Sequence, residues 1–453
     1  TDEIHLLNDE NRGPTLEVVL TRLREETNAS LMGLSATISN AKEIADWFYG
    51  ELVSSDYRPV ELMEGAYDGE GIDFVDGEYY TPKNNRDRGE LSLTEDTLKK
   101  NKQSLIFASS RRNAESIAEK SSKVVNNFLD EDEKKELSEL AEKILNVPSQ
   151  PTKQCKRLAK CVRKGSAFHH AGLQNGQKTL IEDAFRDKLL KIISATPTLA
   201  MGINLPAWRV MIRDAKRYYP GKGSKYIPVL EYQQMSGRAG RPKYDDSGQS
   251  VLIGKSRGEA EEMKDRFIRG KAEEIFSKLS VEPILRMHTL SLISSEVTHT
   301  EDKLKEFFSK SFFAQQYGDI DEIEEKLERI MNRLEEQRFV NNKNGRLEPS
   351  RIGKRVAELY LDPETAYDLI DGLGSEKNGT LFAYLILVSN TREMRPCRMK
   401  KGEFDKIQEE IAKHEDEMLT EPPGPWDLSY DNFLKAMKTA LVFHDWCSEK
   451  GED

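Results

Sequence analysis

The stretch Tyr232-Gln233-Gln234-Met235-Ser236-Gly237-Arg238-Ala239-Gly240-Arg241-Pro242 holds the most informative pattern of the chain. Two arginines lie three positions apart, each directly after a glycine, and a glutamine precedes them. Arginine carries a permanent charge on a planar fork that matches phosphate oxygens, and glycine lets a backbone approach a phosphate closely. The same pattern is also compatible with a basic surface turn, because matches this short arise by chance.

Three further motifs precede this stretch. They are Asp2-Glu3-Ile4-His5 at the start, the small-residue turn Gly33-Leu34-Ser35-Ala36-Thr37, and Ser194-Ala195-Thr196-Pro197-Thr198-Leu199-Ala200-Met201-Gly202-Ile203-Asn204-Leu205-Pro206. Each has an ordinary structural interpretation; the acidic start, for example, suits the beginning of a helix. Four matches in one order are far more specific than any single match.

This order resembles motifs II, III, V and VI of superfamily 2 helicases. The stretches at residues 2–7, 12–17 and 226–232 are closer still to the archaeal HelQ-type DNA helicases. The resemblance extends from Asp2 to about Trp446. It is highly specific at the motifs and looser in the C-terminal third.

Length and composition limit the class of protein. A chain of 453 residues is too long for one core, so two to four domains are expected. Apolar runs stay well below the roughly 20 residues of a membrane helix, and we expect no membrane association. The four cysteines have neither metal-ligand nor disulfide spacing, which predicts reduced thiols and a cytoplasmic protein.

The net charge of −11 argues mildly against a nucleic-acid partner. Between residues 205 and 243, however, nine Lys and Arg residues face two acids, a local balance of 9 − 2 = +7. A local positive stripe on an acidic protein suits a phosphate backbone or nucleotide phosphates.

Strand-like and helix-like segments alternate over most of the chain, which predicts an α/β fold with a doubly wound parallel sheet. Together with the resemblance, this implies two RecA-like parallel-sheet domains, the first partial, followed by a winged-helix domain and an all-helical domain. A short strand is predicted at 29–34. The expected bounds are 1–55 for the partial domain, 56–255 for the second with a β-hairpin at 210–230, 256–362 for the winged helix and 363–453 for the ratchet-type helical domain.

No Gly-x-x-x-x-Gly-Lys-Ser/Thr phosphate loop occurs in the sequence. In the resembled family this loop precedes the Asp-Glu-x-His motif, so we expect the sequence to be truncated at its start. If it is complete, it should not hydrolyse ATP efficiently. The family's ratchet helix would lie beyond Asp453, so truncation is expected there too.

The resemblance implies ATP hydrolysis with Mg²⁺. Asp2 would hold Mg²⁺ through water, with Glu3 beside it, and Glu3 would orient or deprotonate the attacking water. Gly202 and Asn204 would approach the nucleotide. The remaining implied roles are coupling between the domains for His5 and Gln234, arginine fingers for Arg238 and Arg241, and coupling to domain closure for Ser35, Ala36 and Thr37.

The resemblance also implies contacts with nucleic acid. Arg111 and Arg112 lie in the turn resembling motif IV. The basic, aromatic hairpin resembles the family's duplex-splitting wedge. A plain connecting hairpin is the alternative, and we favour the wedge. The adjacent histidines His169 and His170 can indicate a metal site, but no acids or cysteines accompany them at ligand spacing. A packed strand end is the better interpretation from the residues alone. The further implied contacts are His169, His170, Thr196, Thr198, Tyr218, Tyr219, Lys222, Lys225 and Tyr226.

The expected function is that of an ATP-dependent DNA helicase that moves 3′ to 5′ on single-stranded DNA. The resemblance implies DNA repair or stalled-fork processing and forked DNA as a partner, and a winged helix packed on the motor indicates action as a monomer. Two alternatives stay open: an RNA helicase of the superkiller or exosome-associated type, and a non-catalytic nucleic-acid-binding fragment. An acidic helix face at residues 322–328 favours packing over groove reading for the winged helix.

Overall fold

The computed structural model describes residues 1–55, 57–83, 89–197, 199, 205–219, 223–242, 244–318, 320–374, 379–400 and 402–449. The chain forms two compact units. We call Thr1–His5, Gly33–Asp46 and Gly50–Ile275 the sheet unit. We call Leu6–Met32, Trp47–Tyr49 and Phe276–Asp453 the helical unit.

The sheet unit is built on one eight-stranded sheet with the order β3-β2-β1-β10-β7-β4-β6-β5. All neighbours from β1 to β5 in this order pair in parallel, and β2 and β3 add an antiparallel edge. The strands are β1 Glu61–Tyr67, β2 Ile72–Phe74, β3 Tyr79–Tyr80, β4 Ser104–Phe107, β5 Ser166–His169, β6 Ile192–Ala195, β7 Arg209–Ile212 and β10 Ser247–Ile253. The predicted parallel sheet is confirmed for this unit.

Strands β4, β5, β6 and β7 are buried over their whole length, as expected when helices cover both faces of a parallel sheet. A separate antiparallel hairpin pairs β8 Lys216–Tyr219 with β9 Gly223–Tyr226. The helices of this unit are α2 Ala41–Trp47, α3 Gly89–Lys99, α4 Arg111–Val125, α5 Glu131–Asn146, α6 Lys153–Val162, α7 Asn175–Arg186, α8 Val229–Ser236 and α9 Arg257–Met263, and a π-helical turn covers Lys264–Ile268.

Local chemistry explains where several helices begin. The hydroxyl of Ser110 accepts a hydrogen bond from the Asn113 N–H and caps α4. Asp130 and Glu133 form a reciprocal capping box at the start of α5. The Ser110 cap places the turn after β4 at a helix N-terminus, where backbone N–H groups favour anions.

The structure corrects the first 55 residues. Two helices form in this part of the chain, α1 Gly13–Glu26 and α2. The strand predicted at 29–34 is wrong: Leu34 exchanges hydrogen bonds with Thr1 and Ile4 (2.8 and 2.9 Å), but no ladder forms among the described residues there. The partial first RecA-like domain stays a prediction, and its residues divide between the two units.

The helical unit contains the predicted helix, wing and helix. The wing pairs β11 Val340–Lys343 with β12 Arg346–Pro349, and its turn residues Asn344 and Gly345 both have positive φ (54° and 84°), as tight hairpin turns require. The other helices are α10 Glu282–Ser294, α11 Glu301–Ser309, α12 Phe312–Tyr317, α13 Ile320–Glu336, α14 Arg351–Glu358, α15 Pro363–Leu373, α16 Leu381–Ser389, α17 Phe404–His414 and α18 Tyr430–Cys447.

A buried ion pair joins the winged-helix part to the helices that follow. Both oxygens of Asp362 accept from Arg286 (Nε 2.8 Å, Nη2 2.9 Å) on α10, and Asp362 also caps α15. Breaking such a pair by removing one partner leaves a buried charge uncompensated. The boundary predicted near residue 362 therefore lies at a structural anchor rather than in a flexible linker.

Helix α1 brings a fully buried acid into the helical unit. Glu17 is 0% exposed and accepts hydrogen bonds from the Ser277 hydroxyl (2.6 Å) and the Phe313 N–H (2.8 Å). The next residue, Val18, belongs to the hydrophobic core of the helical unit. Burial raises the pKa of Glu17 to about 7, although these hydrogen bonds oppose the shift. Glu17 is therefore protonated in the folded state at mildly acidic pH.

We predict that the helical unit loses stability as pH rises between 4.5, the ordinary pKa of glutamate, and about 7, the pKa of Glu17. Over this range the folded state holds a proton that the unfolded state has released. The loss for this group should reach about 3 kcal/mol. Thermal unfolding of the protein and of Glu17→Gln, at about pH 5 and about pH 8, measures it.

The Glu17→Gln variant should lack this component of the pH dependence. Glu26→Gln, an exposed change on the same helix, is the matched control and should behave like the unmodified protein. Equal pH dependence in Glu17→Gln and the unmodified protein would contradict the prediction.

Candidate functional site

Three of the motifs meet at the imidazole of His5, which is 4% exposed. Its Nε2 atom lies 2.6 Å from Nε2 of Gln234 and 3.2 Å from the Glu3 carboxylate, and its Nδ1 atom lies 3.4 Å from the Ser35 hydroxyl. Residues from three sequence motifs thus converge on one ring. The resemblance implied coupling roles for His5, Gln234 and Ser35, and the structure brings these three side chains together.

One nitrogen of His5 faces both an amide and a carboxylate. A ring nitrogen either donates or accepts, according to its protonation. The Nε2 atom can accept from the Gln234 amide or donate to Glu3, but one proton arrangement does not satisfy both. His5 therefore links the charge state at Glu3 to the contact with Gln234.

The backbone of Glu3 is held in the left-handed region, with φ of 56°. For a residue other than glycine this conformation costs on the order of 1 kcal/mol and is concentrated at functional sites. The Glu3 N–H donates to Oδ1 of Asp2 at 2.9 Å. Both carboxylates remain accessible, since Asp2 is exposed and Glu3 is half-buried.

Arg238 belongs to the same site. Burial lowers the pKa of its guanidinium, and the Glu3 carboxylate opposes this shift, which places the two charges within electrostatic reach. The chain after Arg238 runs close to β10, where Gly240 has φ of 84° and a Cβ at that position would lie 2.6 Å from Val60. Glycine at 240 is thus required by both conformation and space.

Arg241 lies in a different network. Its Nε and Nη2 atoms donate to Asp245 (2.8 and 3.2 Å), and Nη1 donates to Oε1 of Gln103 at 2.6 Å. Gln103 directly precedes β4, and its own amide donates to the carbonyls of Phe185 and Leu190. In this conformation Arg241 connects the loop after α8 to Gln103 at the start of β4. This contact does not support its predicted role as an arginine finger.

The coupling motif lies partly at this site. Ser35 contacts His5, Ala36 is half-buried and Thr37 is exposed. Immediately after it, Asn40 exchanges hydrogen bonds with Ile275 (2.8 and 2.9 Å). The predicted nucleotide-approaching residues Gly202 and Asn204 lie outside the described residues, as do Thr198 and Lys222.

A second group of predicted residues lies at the carboxyl ends of the parallel strands. Arg111 and Arg112 are exposed in the first turn of α4, just after β4. Thr196 directly follows β6, which pairs with β4 in register. Ligands of parallel sheets bind beyond this edge, so these residues are positioned to contact a phosphate backbone.

Asp214 is a residue of this edge that sequence reasoning missed. Its Oδ2 atom accepts from the N–H and hydroxyl of Ser109 (3.0 and 3.1 Å) and from the side chain of Asn113 (3.0 Å). It thereby ties the turn after β4 to the end of β7. The available signal was an acid within an otherwise basic segment directly after a strand.

His169 and His170 are buried, at 4% and 1% exposure. His169 contacts the Glu182 carboxylate at 2.9 Å, and His170 contacts Glu115 at 3.2 Å. Burial lowers the pKa of both rings, although these carboxylates oppose the shift. This contradicts a direct nucleic-acid contact and agrees with the packed strand end that the sequence favoured over a metal site.

The hairpin is shorter than the predicted span 210–230. Residues 209–212 pair with β10 and β4 in the parallel sheet, and residues 229–236 form α8. On the hairpin, Tyr218 and Lys225 are exposed and Tyr219 is half-buried. Those side chains are available to a ligand.

Tyr226 is not available in the same way. Nζ of Lys216 lies 4.2 Å and the Arg266 guanidinium 5.0 Å from its ring centre, and the ring packs edge-on against Phe267 at 5.7 Å. Its ring is occupied by protein contacts at the base of the hairpin. Stacking of Tyr226 on a base is therefore not supported in this conformation.

The positive stripe predicted at 205–243 is largely compensated. Among its described residues, Arg209 is fully buried, and acids pair with several of its arginines. The pairs are Arg209 with Asp96, Arg213 with Asp214, Arg217 with Glu231 and Arg241 with Asp245. Counting charges along the sequence overestimated the exposed positive surface, because the partners of Arg209 and Arg241 lie outside the segment.

Two further findings concern metal-ligand groups and membrane-spanning helices. In the part of the chain that the structure describes, no group of three or more His, Cys, Asp or Glu residues could hold a metal ion. Over the same residues, no helix has the length and apolar character needed to cross a membrane. The Asp2 carboxylate can still serve as a Mg²⁺ ligand, because Mg²⁺ is usually bound by one or two carboxylates with water and phosphate oxygens.

Three family descriptions match successive parts of the chain. Residues 134–243 match the helicase conserved C-terminal domain, which contains strands β5 to β9 and the arginine motif. Residues 248–341 match a helix-turn-helix domain, and residues 382–453 match domain 4 of archaeal helicases. The match order agrees with the predicted order of motor, winged-helix and helical domains.

The chain is also similar over its whole length to named helicases. It is 39% identical over 459 aligned residues to the ATP-dependent DNA helicase Hel308 of Methanocella arvoryzae, covering 61% of that protein. It is 38% identical to Hel308 of Pyrococcus horikoshii, with 61% of that protein covered, and 34% identical to Hel308 of Methanococcus vannielii, with 65% covered.

The chain thus spans about three fifths of the length of these relatives. The motifs, the parallel sheet, the winged helix and the matches along the entire chain agree with one another. The resemblance drawn from the motifs is confirmed: along its entire length the chain is similar to Hel308-type archaeal superfamily 2 DNA helicases.

Proposed function

We propose that this chain is part of an ATP-dependent DNA helicase that moves along single-stranded DNA and separates a duplex with the β8–β9 hairpin. The observation that carries the proposal is the convergence of Glu3, Gln234 and Ser35 on His5. Residues 229 positions apart in the sequence meet there, as a nucleotide-responsive motor requires.

In the proposed reaction Glu3 orients the attacking water and accepts its proton. The carboxylate is accessible, and its neighbour His5 can take the proton on through Nε2. Asp2 would hold Mg²⁺, which when bound neutralises charge on the phosphates. The His5–Gln234 contact would then report the state of Glu3 to α8.

Arg238 is our candidate for the arginine finger. It shares the site with Glu3, so its charge is near the place where a γ-phosphate would react. Burial strengthens the interaction of a guanidinium with phosphate charge, because water screens it less. Arg241 acts instead by positioning the loop that carries Arg238.

The carboxyl edge of the sheet and the hairpin are the proposed path of the DNA. Arg111 and Arg112 would bind backbone phosphates, and Tyr218 with Lys225 would combine stacking with charge. We further propose 3′ to 5′ movement, single-stranded and forked DNA as partners, and work in repair or at stalled forks. Action as a monomer and a cytoplasmic location remain predictions.

We predict that Glu3→Gln in the full-length protein abolishes DNA-stimulated ATP hydrolysis, because the variant cannot accept a proton. The turnover number should fall by roughly 10²- to 10⁴-fold while ATP binding is kept. ATPase assays with single-stranded DNA, single-stranded RNA or neither measure this and test the substrate class. Stimulation by RNA in preference to DNA would favour the RNA helicase alternative, and activity in no condition would favour the non-catalytic one.

Replacement of Arg238 and replacement of Arg241 should change different measurements, turnover for the first and thermal midpoint for the second. Arg238→Ala should lower turnover by roughly 10³-fold or more without lowering the thermal midpoint, as expected for a finger. Arg241→Ala should lower the thermal midpoint, because it removes one of the two cations that pair with the buried Asp245 carboxylate and the donor to Oε1 of Gln103. The reverse pattern, with a stable but inactive Arg241→Ala and an active Arg238→Ala, would exchange their roles.

The hairpin should matter for strand separation more than for ATP hydrolysis. Replacing Tyr218 and Lys225 by alanine should slow unwinding of forked DNA by about tenfold, since stacking contributes about 1–3 kcal/mol per base. ATPase stimulated by single-stranded DNA should stay close to normal. Tyr79→Ala, which removes an exposed tyrosine from the sheet edge, is the matched control; equal loss of both activities would argue against a wedge.

A further inference from the structure

The hairpin is attached to α8, the helix that carries Gln234, through one contact on each of its strands. On β8, Nη2 of Arg217 lies 2.5 Å from Oε1 of Glu231 in α8. Glu231 is 8% exposed, so water screens this ion pair only weakly. A movement of α8 therefore acts directly on the first strand of the hairpin.

On β9, the link runs through an aromatic side chain. The ring of Phe267 packs edge-on against Tyr226 of the hairpin (centroids 5.7 Å apart) and in a tilted arrangement against Tyr232 of α8 (5.4 Å). Phe267 and Tyr232 are each 1% exposed. Close-packed rings transmit displacement, because cores do not deform continuously.

Phe267 is itself held from the sheet. It lies in the π-helical turn Lys264–Ile268, a rare geometry that is frequent at functional sites. Lys264, at the start of this turn, is 3% exposed and pairs with Asp73 of β2 and with Glu261 (2.7 Å). Phe267 thus lies between the hairpin and α8, on a turn that is connected to the sheet.

The start of α8 is tied to the coupling motif. Both oxygens of Glu273 accept from the first N–H groups of α8, at Val229 (2.8 Å) and Leu230 (3.1 Å). The neighbouring Ile275 is bonded to Asn40, shortly after the Ser35-Ala36-Thr37 turn. Helix α8 is therefore in contact with His5 through Gln234 and is connected, through Glu273 and Ile275, to Asn40 beyond this turn.

We propose that Phe267 and the Arg217–Glu231 pair are positioning residues that transmit movement of α8 to the hairpin, a role that rests on the proposed helicase function. Neither touches nucleotide or DNA. They convert a change at His5 and Gln234 into a change of hairpin position. Without them the motor would hydrolyse ATP and move, but only Ile227 and Pro228 would connect the hairpin to α8, and the hairpin would follow less closely.

The test compares Phe267→Leu and Arg217→Gln in the full-length protein. Each should retain DNA-stimulated ATPase within about twofold while base pairs opened per ATP fall by roughly fivefold or more, in line with typical coupling between contacting residues. Phe185→Leu, at an equally buried phenylalanine of the same unit, controls for the loss of a core ring. Arg163→Gln, which removes a surface pair with Glu142, controls for the loss of an arginine.

A proportional fall of ATPase and unwinding, or an equal effect in the controls, would overturn the coupling role. Hydrogen exchange of the hairpin amides, with and without a non-hydrolysable ATP analogue, separates this role from the proposed function. The analogue should change exchange in residues 216–226 of the unmodified protein, even if that protein has no helicase activity, and should not do so in a variant carrying both substitutions. An identical response in both proteins would refute the link, whereas a missing ATPase in the unmodified protein would refute only the helicase function.

Discussion

Parallel pairing of β4, β5, β6 and β7 is the constraint on which the nucleic-acid edge depends. Phe107 pairs with Ala195 and Ile212, and Ala195 pairs with His169, so all four strands end at one level. Strands joined in parallel need long crossovers, which is why these turns are far apart in the sequence. Complete burial of the strands specifies the register, since a slip of one residue would reverse the direction of every side chain.

The proposed nucleotide site depends on a different kind of interaction, a single shared ring nitrogen. His5 can satisfy Gln234 or Glu3 with one proton arrangement, but not both. A packed ring with two alternative partners has two discrete states, which is what a switch needs. The left-handed backbone at Glu3 holds the carboxylate beside this ring at a cost that the surrounding hydrogen bonds must offset.

Burial separates arginines that look equivalent in the sequence. Arg238 and Arg241 follow the same glycine pattern, yet one lies near Glu3 and the other holds Asp245 and Gln103. The same effect removes Arg209 from the apparent positive stripe, because Asp96 neutralises it inside the sheet unit. Charge along a sequence therefore overstates surface charge wherever strands of a buried sheet contribute to the count.

The sequence by itself determined the order of the motifs, the parallel sheet, the wing and most helices, because these follow from local periodicity and turn chemistry. It also singled out Ser35, His5 and Gln234 as coupling residues, through the family resemblance. Only the tertiary structure decided that residues 29–34 form no strand, that His169 and His170 are buried, that the hairpin is short and that Arg241 is engaged elsewhere. Each of these depends on partners that are distant along the chain, such as Glu182 for His169 and Gln103 for Arg241, and local sequence patterns carry no information about such partners.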